Sequence, residues 1–331
     1  MAVVEALPII FLILFSRVAA SGLEASNDRP IIGVLSQETY IVRSYFPNET
    51  YDSFIAASYV KFLEAAGARV LPVWIGQDED YYRRVVNRTN GLLFPGGGTW
   101  FNESGGYGEA ATRLYQVALE YNDKGIYYPI WGTCLGMQAL MFAALKGVKD
   151  IRVDCDLRNV ALPLEFAEDS DKSRLFSGAP VEIIEILSEK NATYNLHRYC
   201  LTRAVLDENN LLDSWRIIST NKDANGLEFI SAIEHRSYPI YGVQFHPEKN
   251  QFEFNKGKGF PHSSDSIKVA QYFANFFVNE TRRNHNGFSN DTAEAEALIY
   301  QFCPRYTGLT NGYYEQLYVF VKEDFDKNSL I

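Results

Sequence analysis

The chain has 331 residues, of which 47% are hydrophobic and 14% aromatic, so it can bury the core of one large α/β domain or of two smaller ones. Its formal net charge is −10 and its pI about 5.1, with no basic stripe, which excludes an ordinary nucleic-acid-binding protein. Four cysteines are too few for a disulfide scaffold. No internal repeat or low-complexity linker interrupts the chain, which favours a single domain over residues 21–331.

Residues 1–20 are typical of a secretory signal peptide. Residues 7–15 form an apolar core, and Val18-Ala-Ala20 supplies the small residues of a cleavage site. The segment before the core departs from the usual pattern, because it has no positive charge beyond the amino terminus. The apolar core is too short to span a bilayer and no second long apolar run follows, so we expect no membrane anchor.

Six N-x-S/T sequons accompany the predicted signal peptide. Together they predict passage through the secretory route, and glycans would mark surface positions. The acceptor residues are Asn48, Asn87, Asn102, Asn191, Asn279 and Asn290.

The first half of the chain alternates between strand-like and helix-like segments. This alternation predicts a mostly parallel central sheet with helices on both faces. Strands are predicted over residues 31–37, 69–75 and 91–94, and helices over 52–66, 78–87 and 107–122.

The second half is richer in strands, predicted over residues 181–187, 215–220, 229–234 and 240–245. The last two, separated by a short turn, are predicted to form a hairpin that extends the sheet in antiparallel fashion. Residues 264–283 have the pattern of a long amphipathic helix and residues 284–291 that of a loop, and the aromatic-rich tail at 300–325 fits no clear pattern.

The segment Gly132-Thr-Cys-Leu-Gly136 has the form G-x-C-x-G. An apolar run at 127–131 precedes it and a helical pattern at 135–145 follows, which predicts a strand, a sharp turn and a helix with a thiol at the apex. The helix N-terminus favours the thiolate of Cys134, and the backbone N–H of Leu135 points where an oxyanion would form.

The alternative for Cys134 is a buried structural cysteine, which is the commoner kind. Two glycines at this spacing on a strand-to-helix turn make that interpretation the weaker one. If Cys134 is a free nucleophile, at most one disulfide can form among Cys155, Cys200 and Cys303.

A base for the thiol is predicted in Tyr241-Gly-Val-Gln-Phe-His-Pro-Glu248. His246 falls at the end of the last predicted strand, and Pro247 stops that strand. Glu248 follows two residues after the histidine, so its carboxylate can fix the tautomer and stabilise the imidazolium. The alternative is a solvated or core histidine at a strand end, which is the usual case for a lone histidine.

A glycine-rich loop supports the pair. The segment Gly91-Leu-Leu-Phe-Pro-Gly-Gly-Gly98 predicts a buried strand that runs into this loop. Gly97 or Gly98 is a candidate for the second oxyanion donor, because glycines let backbone N–H groups approach a bound group. The loop matches neither the dinucleotide fingerprint nor the phosphate loop, so nucleotide binding is discounted.

Three segments resemble the signatures of class I glutamine amidotransferase-like domains: Phe94-Pro-Gly-Gly-Gly98, Gly132-Thr-Cys-Leu-Gly-Met-Gln138 and Gly242-Val-Gln-Phe-His-Pro-Glu248. The resemblance spans roughly residues 30–283. Within that group the chain most resembles the gamma-glutamyl hydrolase family, which Asn195-Leu-His-Arg-Tyr199 and the predicted signal peptide also fit.

The resemblance implies a lysosomal or secreted homodimer that cleaves γ-linked glutamyl bonds of folate and antifolate poly-γ-glutamates through a thioester. It implies no metal and no organic cofactor. By the same resemblance Gln138 is a candidate to hold the glutamyl group. His197 is a candidate to line the pocket, with a surface loop histidine as the alternative.

Two other functions stay open at this point. One is a glutaminase-type amidotransferase that releases ammonia from glutamine, against which the predicted signal peptide and the lack of a fused synthetase count. The other is a secreted binding protein without catalysis, against which the intact set of Cys134, His246 and Glu248 counts.

Overall fold

The computed structural model describes residues 26–327, so the predicted signal peptide lies outside the described residues. The strands are β1 (Ile31–Leu35), β2 (Ser53–Ala56), β3 (Arg69–Val73), β4 (Gly91–Phe94), β5 (Ile130–Thr133), β6 (Val153–Leu162), β7 (Glu165–Phe166), β8 (Thr193–Cys200), β9 (Trp215–Lys222), β10 (Glu228–His235), β11 (Ile240–Val243), β12 (Arg305–Tyr306) and β13 (Gln316–Phe320). The helices are α1 (Ala57–Glu64), α2 (Glu79–Arg88), α3 (Tyr107–Asp123), α4 (Leu135–Ala144), α5 (Val181–Glu189), α6 (Arg203–Glu208), α7 (Lys249–Phe252), α8 (Ser264–Thr281), α9 (Asp291–Ala297) and α10 (Lys322–Lys327).

The main sheet of the described residues has eight strands in the order β3-β1-β4-β5-β11-β10-β9-β7. Strands β3, β1, β4, β5 and β11 run parallel, and β10, β9 and β7 extend the sheet in antiparallel fashion. The predicted mostly parallel sheet and the predicted hairpin of β10 and β11 are therefore confirmed. Because β5 and β11 are parallel neighbours, the residues that follow them meet at the same edge of the sheet.

Helices cover both faces of this sheet, as the sequence predicts. The Trp131 ring of β5 packs on one face against Phe273 and Phe277 of α8, with centroids 6.1 and 5.8 Å apart. On β11 a side chain at Gly242 would meet Met137 of α4 at 2.5 Å. Since the residue after Trp131 pairs with Gly242, and successive residues of a strand point to opposite faces, α4 and α8 lie on opposite faces.

The turn between β5 and α4 depends on two small residues. A Cβ added to Gly132 would lie 2.7 Å from the backbone of Gly136, and a Cβ on Gly136 would lie 1.8 Å from the carbonyl oxygen of Phe94. Only glycine permits strand and helix to approach this closely.

The strand predicted over residues 181–187 is wrong, because Val181–Glu189 forms helix α5. Its buried residues are Ile183, Ile186 and Leu187, which is helical spacing. A short apolar run fits the hydrophobic period of a strand and that of a helix equally well. Packing of α5 against α8 selects the helix.

The helix predicted over residues 52–66 is wrong in its first part. Ser53–Ala56 forms strand β2, and the helix begins only at Ala57. Strand β2 pairs with β13 of the carboxy-terminal tail, and β13 also pairs with β12. A pairing partner some 260 residues away overrides the local helical pattern.

A second unpredicted feature is the antiparallel pair of β6 and β8. Cys155 of β6 and Cys200 of β8 form a disulfide with a Cα–Cα distance of 5.8 Å. Cys303 is left as an exposed free thiol. The disulfide fastens the pair together at the end where β8 carries His197.

The close approach at the turn gives a stability prediction. We expect Gly132→Ala to lower the free energy of unfolding by about 2 kcal/mol, because the new methyl group meets rigid backbone. Gly178→Ala is the matched control, since nothing lies within 4 Å of its added Cβ. Denaturant unfolding measures both, and equal stability of the two variants would contradict the packing described.

Candidate active site

Cys134 occupies the apex of the turn between β5 and α4. Its backbone has φ 52° and ψ −106°, a left-handed conformation that residues other than glycine rarely adopt. The N–H of Cys134 donates to the carbonyl oxygen of Val243 at 2.7 Å, which ties the apex to β11. Strain held at a buried thiol by its surroundings is typical of a functional site.

The histidine and glutamate predicted as a pair lie next to this thiol. Nδ1 of His246 is 2.8 Å from Oε1 of Glu248, and both side chains are buried. The backbone N–H of His246 donates to the carbonyl oxygen of Tyr194 on β8 at 2.8 Å. Strand β11 ends at Val243 rather than at the predicted Phe245, so His246 lies in the loop after the strand.

The charge state of His246 follows from its neighbours. Burial alone lowers the pKa of the imidazole, but the negative charges of Glu248 and then Cys134 outweigh burial. A hydrogen bond with Cys134 adds to the effect, and the pKa of His246 rises to about 9. The imidazole is therefore protonated at neutral pH and can stabilise a thiolate.

Tyr59 links the histidine to the glycine loop. Its hydroxyl oxygen accepts from the N–H of Gly96 at 2.7 Å and lies 3.3 Å from Nδ1 of His246. A Cβ on Gly96 would lie 2.6 Å from Cε1 of His246 and 3.2 Å from Cβ of Cys134, so only glycine fits here. Sequence reasoning missed Tyr59, because a tyrosine on a buried helix face carries no signal of such a contact.

The predicted oxyanion donors face the same space. Among the described residues no acceptor bonds the N–H of Leu135, Gly97 or Gly98, whereas the N–H of Gly96 is taken by Tyr59. Gln37 donates through Nε2 to the carbonyl oxygen of Gly96 at 2.9 Å and fixes the loop. The free N–H groups are therefore that of Leu135 at the N-terminus of α4 and those of Gly97 and Gly98 in the glycine loop that Gln37 holds in place.

A cavity of about 300 Å³ opens beside Cys134. Six of the predicted site residues line it, whereas His246 and Glu248 are buried outside its lining. A volume of this size is at the lower end of the range for small-molecule sites. The lining residues are Tyr40, Gly97, Gly98, Thr99, Trp100, Cys134, Leu135, Gln138, Arg152, Leu196, His197, Arg198 and Tyr199.

Gln138 lines the cavity with part of its polar capacity already used. Its Nε2 donates to the carbonyl oxygen of Tyr199 at 2.8 Å and to Oε1 of Gln244 at 3.0 Å. Both amide hydrogens are therefore engaged within the protein, and only the oxygen is left to accept from a ligand. This oxygen suits an N–H or ammonium group and does not suit a carboxylate.

His197 is buried on β8, so the alternative of a surface loop histidine is wrong. Its Nε2 lies 3.2 Å from Oδ1 of Asn195, and its Nδ1 lies 3.3 Å from the sulfurs of Cys155 and Cys200. Burial, followed by the positive charge of His246, lowers the pKa of His197 to about 3. These two sulfurs and the imidazole lie close enough to hold a metal ion, but the disulfide already occupies both sulfurs.

The six sequon asparagines are all exposed in the structure. Asn290 is also the N-cap of helix α9, where its Oδ1 accepts from the N–H of Ala293 at 2.8 Å. This contact leaves Nδ2, the atom to which a glycan attaches, available.

The eight-stranded sheet brings a cysteine at the end of β5 and a histidine–glutamate pair after β11 to one edge, an arrangement suited to a cysteine hydrolase. A sequence model of the family described as Peptidase C26 matches residues 30–248, and the chain belongs to that family.

Curated relatives agree with the family. The gamma-glutamyl hydrolase of Rattus norvegicus is 39% identical over 315 residues, which are 94% of this chain and 96% of that protein. The human gamma-glutamyl hydrolase is 39% identical over 88% of this chain and 90% of its own length. Gamma-glutamyl hydrolase B of Dictyostelium discoideum is 35% identical, with coverages of 92% and 88%. The resemblance seen in the sequence is thereby confirmed.

The raised pKa of His246 gives a pH prediction. Glu248→Gln removes the strongest influence that raises this pKa, so we expect the histidine to lose its proton at lower pH. When kcat/KM is measured as a function of pH with any substrate that the protein cleaves, the basic limb of the profile should lie near pH 9 in the wild type and closer to neutral pH in Glu248→Gln.

Glu234→Gln is the control, since Glu234 is a buried carboxylate that pairs with Arg216 and does not line the cavity. Its profile should keep the basic limb in place. The same limb in the Glu248 variant and in the wild type would contradict the pairing of Glu248 with His246.

Proposed function

We propose that this chain is a cysteine hydrolase that cleaves the γ-linked glutamyl bonds of folate and antifolate poly-γ-glutamates through a thioester. One observation carries the proposal. Cys134, in a left-handed backbone conformation, lies beside the buried pair of His246 and Glu248 and lines a cavity together with Leu135, Gly97 and Gly98, whose N–H groups have no acceptor among the described residues. The Peptidase C26 family and the gamma-glutamyl hydrolases to which the chain is similar support the bond type.

In the first half-reaction the thiolate of Cys134 attacks the γ-carbonyl carbon and a carbon–sulfur bond forms. The negative oxygen is held by the N–H of Leu135 and by that of Gly97 or Gly98. His246 donates its proton to the departing nitrogen, because Glu248 engages Nδ1 and leaves Nε2 for the transfer. The carbon–nitrogen bond breaks, an amine leaves and a glutamyl thioester is left on the protein.

In the second half-reaction the now neutral His246 takes a proton from a water molecule. The water oxygen attacks the thioester carbonyl, and the same N–H groups stabilise the second oxyanion. The carbon–sulfur bond then breaks, which regenerates the thiolate and releases a γ-carboxylic acid that gives up its proton to solvent. Charge neutralisation between the imidazolium and the thiolate is restored at the end of the cycle.

The cavity favours a γ-linked over an α-linked chain. In a γ-linked chain the scissile carbonyl ends a glutamyl side chain, and the free α-carboxylate lies at a fixed distance from that carbonyl. An α-linked chain moves the carbonyl next to the α-carbon and removes that carboxylate, so a buried polar partner stays unpaired. The carbonyl is also displaced from the oxyanion donors.

The proposal includes a lysosomal and secreted location and a homodimer. The predicted signal peptide and the six exposed sequons support entry into the secretory route. Among the described residues no helix is both long and apolar enough to cross a membrane. Light scattering of the purified protein tests the dimer.

The substrate prediction compares matched γ- and α-linked diglutamyl peptides. We expect kcat/KM for the γ-linked peptide to be higher by more than about a hundredfold, since an unpaired buried group and a misplaced carbonyl each reduce the rate. Mass spectrometry of the products measures both reactions. Cys134→Ala is the control and should show no turnover of either peptide.

Comparable values for the two peptides would contradict the proposal and indicate a general cysteine peptidase. Release of ammonia from free glutamine at a higher kcat/KM than cleavage of the γ-linked peptide would instead indicate the glutaminase-type amidotransferase.

The location prediction rests on the sequons. Expressed in a secretory eukaryotic cell, the mature chain should begin near Ser21 and lose mass on treatment with an N-glycosidase. Amino-terminal sequencing and intact-mass measurement test both points. A mature chain that begins at Met1 and keeps its mass after the glycosidase would contradict the secretory assignment.

A further inference from the structure

A γ-linked glutamyl substrate carries one free α-carboxylate per unit, and a carboxylate in a partly enclosed cavity needs a cation or several N–H donors. Gln138 cannot supply these donors, because both of its amide hydrogens are engaged by Tyr199 and Gln244. Two cationic side chains line the cavity, Arg152 and Arg198. Although the chain has a net charge of −10, two positively charged side chains line this cavity.

Arg152 is the more buried of the two. Its side chain is only 5% exposed, although it lines the cavity. Its guanidinium carbon lies 3.9 Å from the ring centroid of Phe101 and 5.1 Å from that of Tyr199. Contacts with two aromatic rings fix the plane of the guanidinium before any ligand binds, which lowers the entropy lost on binding.

One part of this guanidinium is left for a ligand. Nε and Nη2 donate to the carboxylate of Asp150 at 2.6 to 3.0 Å. Among the described residues Nη1 has no hydrogen-bond partner. Asp150 itself is 40% exposed, so water screens its charge more than that of the buried guanidinium. Asp150 thus orients Arg152 without using all of its donors.

Arg198 is less suited to bind a substrate carboxylate. Its side chain is 67% exposed, and its Nε lies 3.7 Å from a carboxylate oxygen of Asp154. An exposed cation of this kind raises the local potential and gives little discrimination between ligands.

We propose that Arg152 is the specificity-determining residue that binds the α-carboxylate of the glutamyl unit whose γ-carbonyl is attacked by Cys134. This inference rests on the proposed function and names the residue that reads the substrate. Nη1 supplies the charge-assisted hydrogen bond to the carboxylate. The oxygen of Gln138 accepts from the nitrogen on the same α-carbon, so the two side chains together read both substituents of that carbon.

The test uses two γ-linked substrates: γ-glutamyl-glutamate, and the same peptide with the α-carboxylate of its first unit replaced by a carboxamide. We expect wild type to prefer the carboxylate substrate. Arg152→Gln should lower the ratio of the two kcat/KM values by about tenfold to a hundredfold, the range for loss of a hydrogen bond to a charged group. The ratio is measured on one protein sample, so partial misfolding of the variant does not change it.

Arg158→Gln is the matched control. Arg158 lies on β6, the strand that begins directly after Arg152; it also pairs with an aspartate, is exposed and does not line the cavity. It removes the same charge and should leave the ratio unchanged. Arg152→Lys keeps the charge without the planar fork, and its ratio should fall between those of wild type and Arg152→Gln.

An unchanged ratio in Arg152→Gln would overturn the assignment, because it would show that this residue does not read the carboxylate. If both kcat/KM values fall by the same factor, Arg152 only supports the cavity wall.

Failure of the proposed function looks different, because wild type would then cleave neither peptide. In that case calorimetric binding of both peptides to Cys134→Ala, with and without Arg152→Gln, decides the inference by itself. Weaker binding of the carboxylate peptide alone supports it, and equal binding refutes it.

Discussion

The left-handed backbone of Cys134 is the constraint on which the rest of the site depends. It is held by the bond from its N–H to Val243 and by the glycines at 132 and 136, which let β5, α4 and β4 approach one another. These contacts belong to the centre of the main sheet. Because the strain is distributed over a rigid core, the thiol can project from a helix N-terminus without a flexible loop.

The electrostatic layout follows from the strand order. Strands β5 and β11 are parallel neighbours, so the cysteine after one and the histidine after the other reach the same edge. Burial at this edge would lower the pKa of an isolated imidazole and favour its neutral form, whereas the carboxylate of Glu248 raises the pKa of His246. Tyr59 joins His246 to the glycine loop, so the proposed base and the proposed oxyanion donors of the loop are positioned by one set of contacts.

Sequence patterns predicted the part of this fold that is locally encoded. The strand–helix alternation, the G-x-C-x-G turn and the H-P-E segment each need only neighbours in sequence to be seen. The pairing of β2 with β13 was not predictable in this way, because it joins segments far apart. The antiparallel pair of β6 and β8 was not predicted, although residues 153–157 alternate in burial. Arg152, which directly precedes β6, was not predicted either, because its proposed role depends on contacts with the distant rings of Phe101 and Tyr199.

The central claim is that Cys134 is a nucleophile made reactive by its surroundings, and selective labelling tests it most directly. The protein contains a second free thiol, Cys303, which is exposed and therefore more accessible. Peptide mapping after treatment with a glutamine-like electrophile should find one adduct, on Cys134, and excess γ-glutamyl peptide should suppress it. Labelling of Cys303 with Cys134 unmodified would contradict the account.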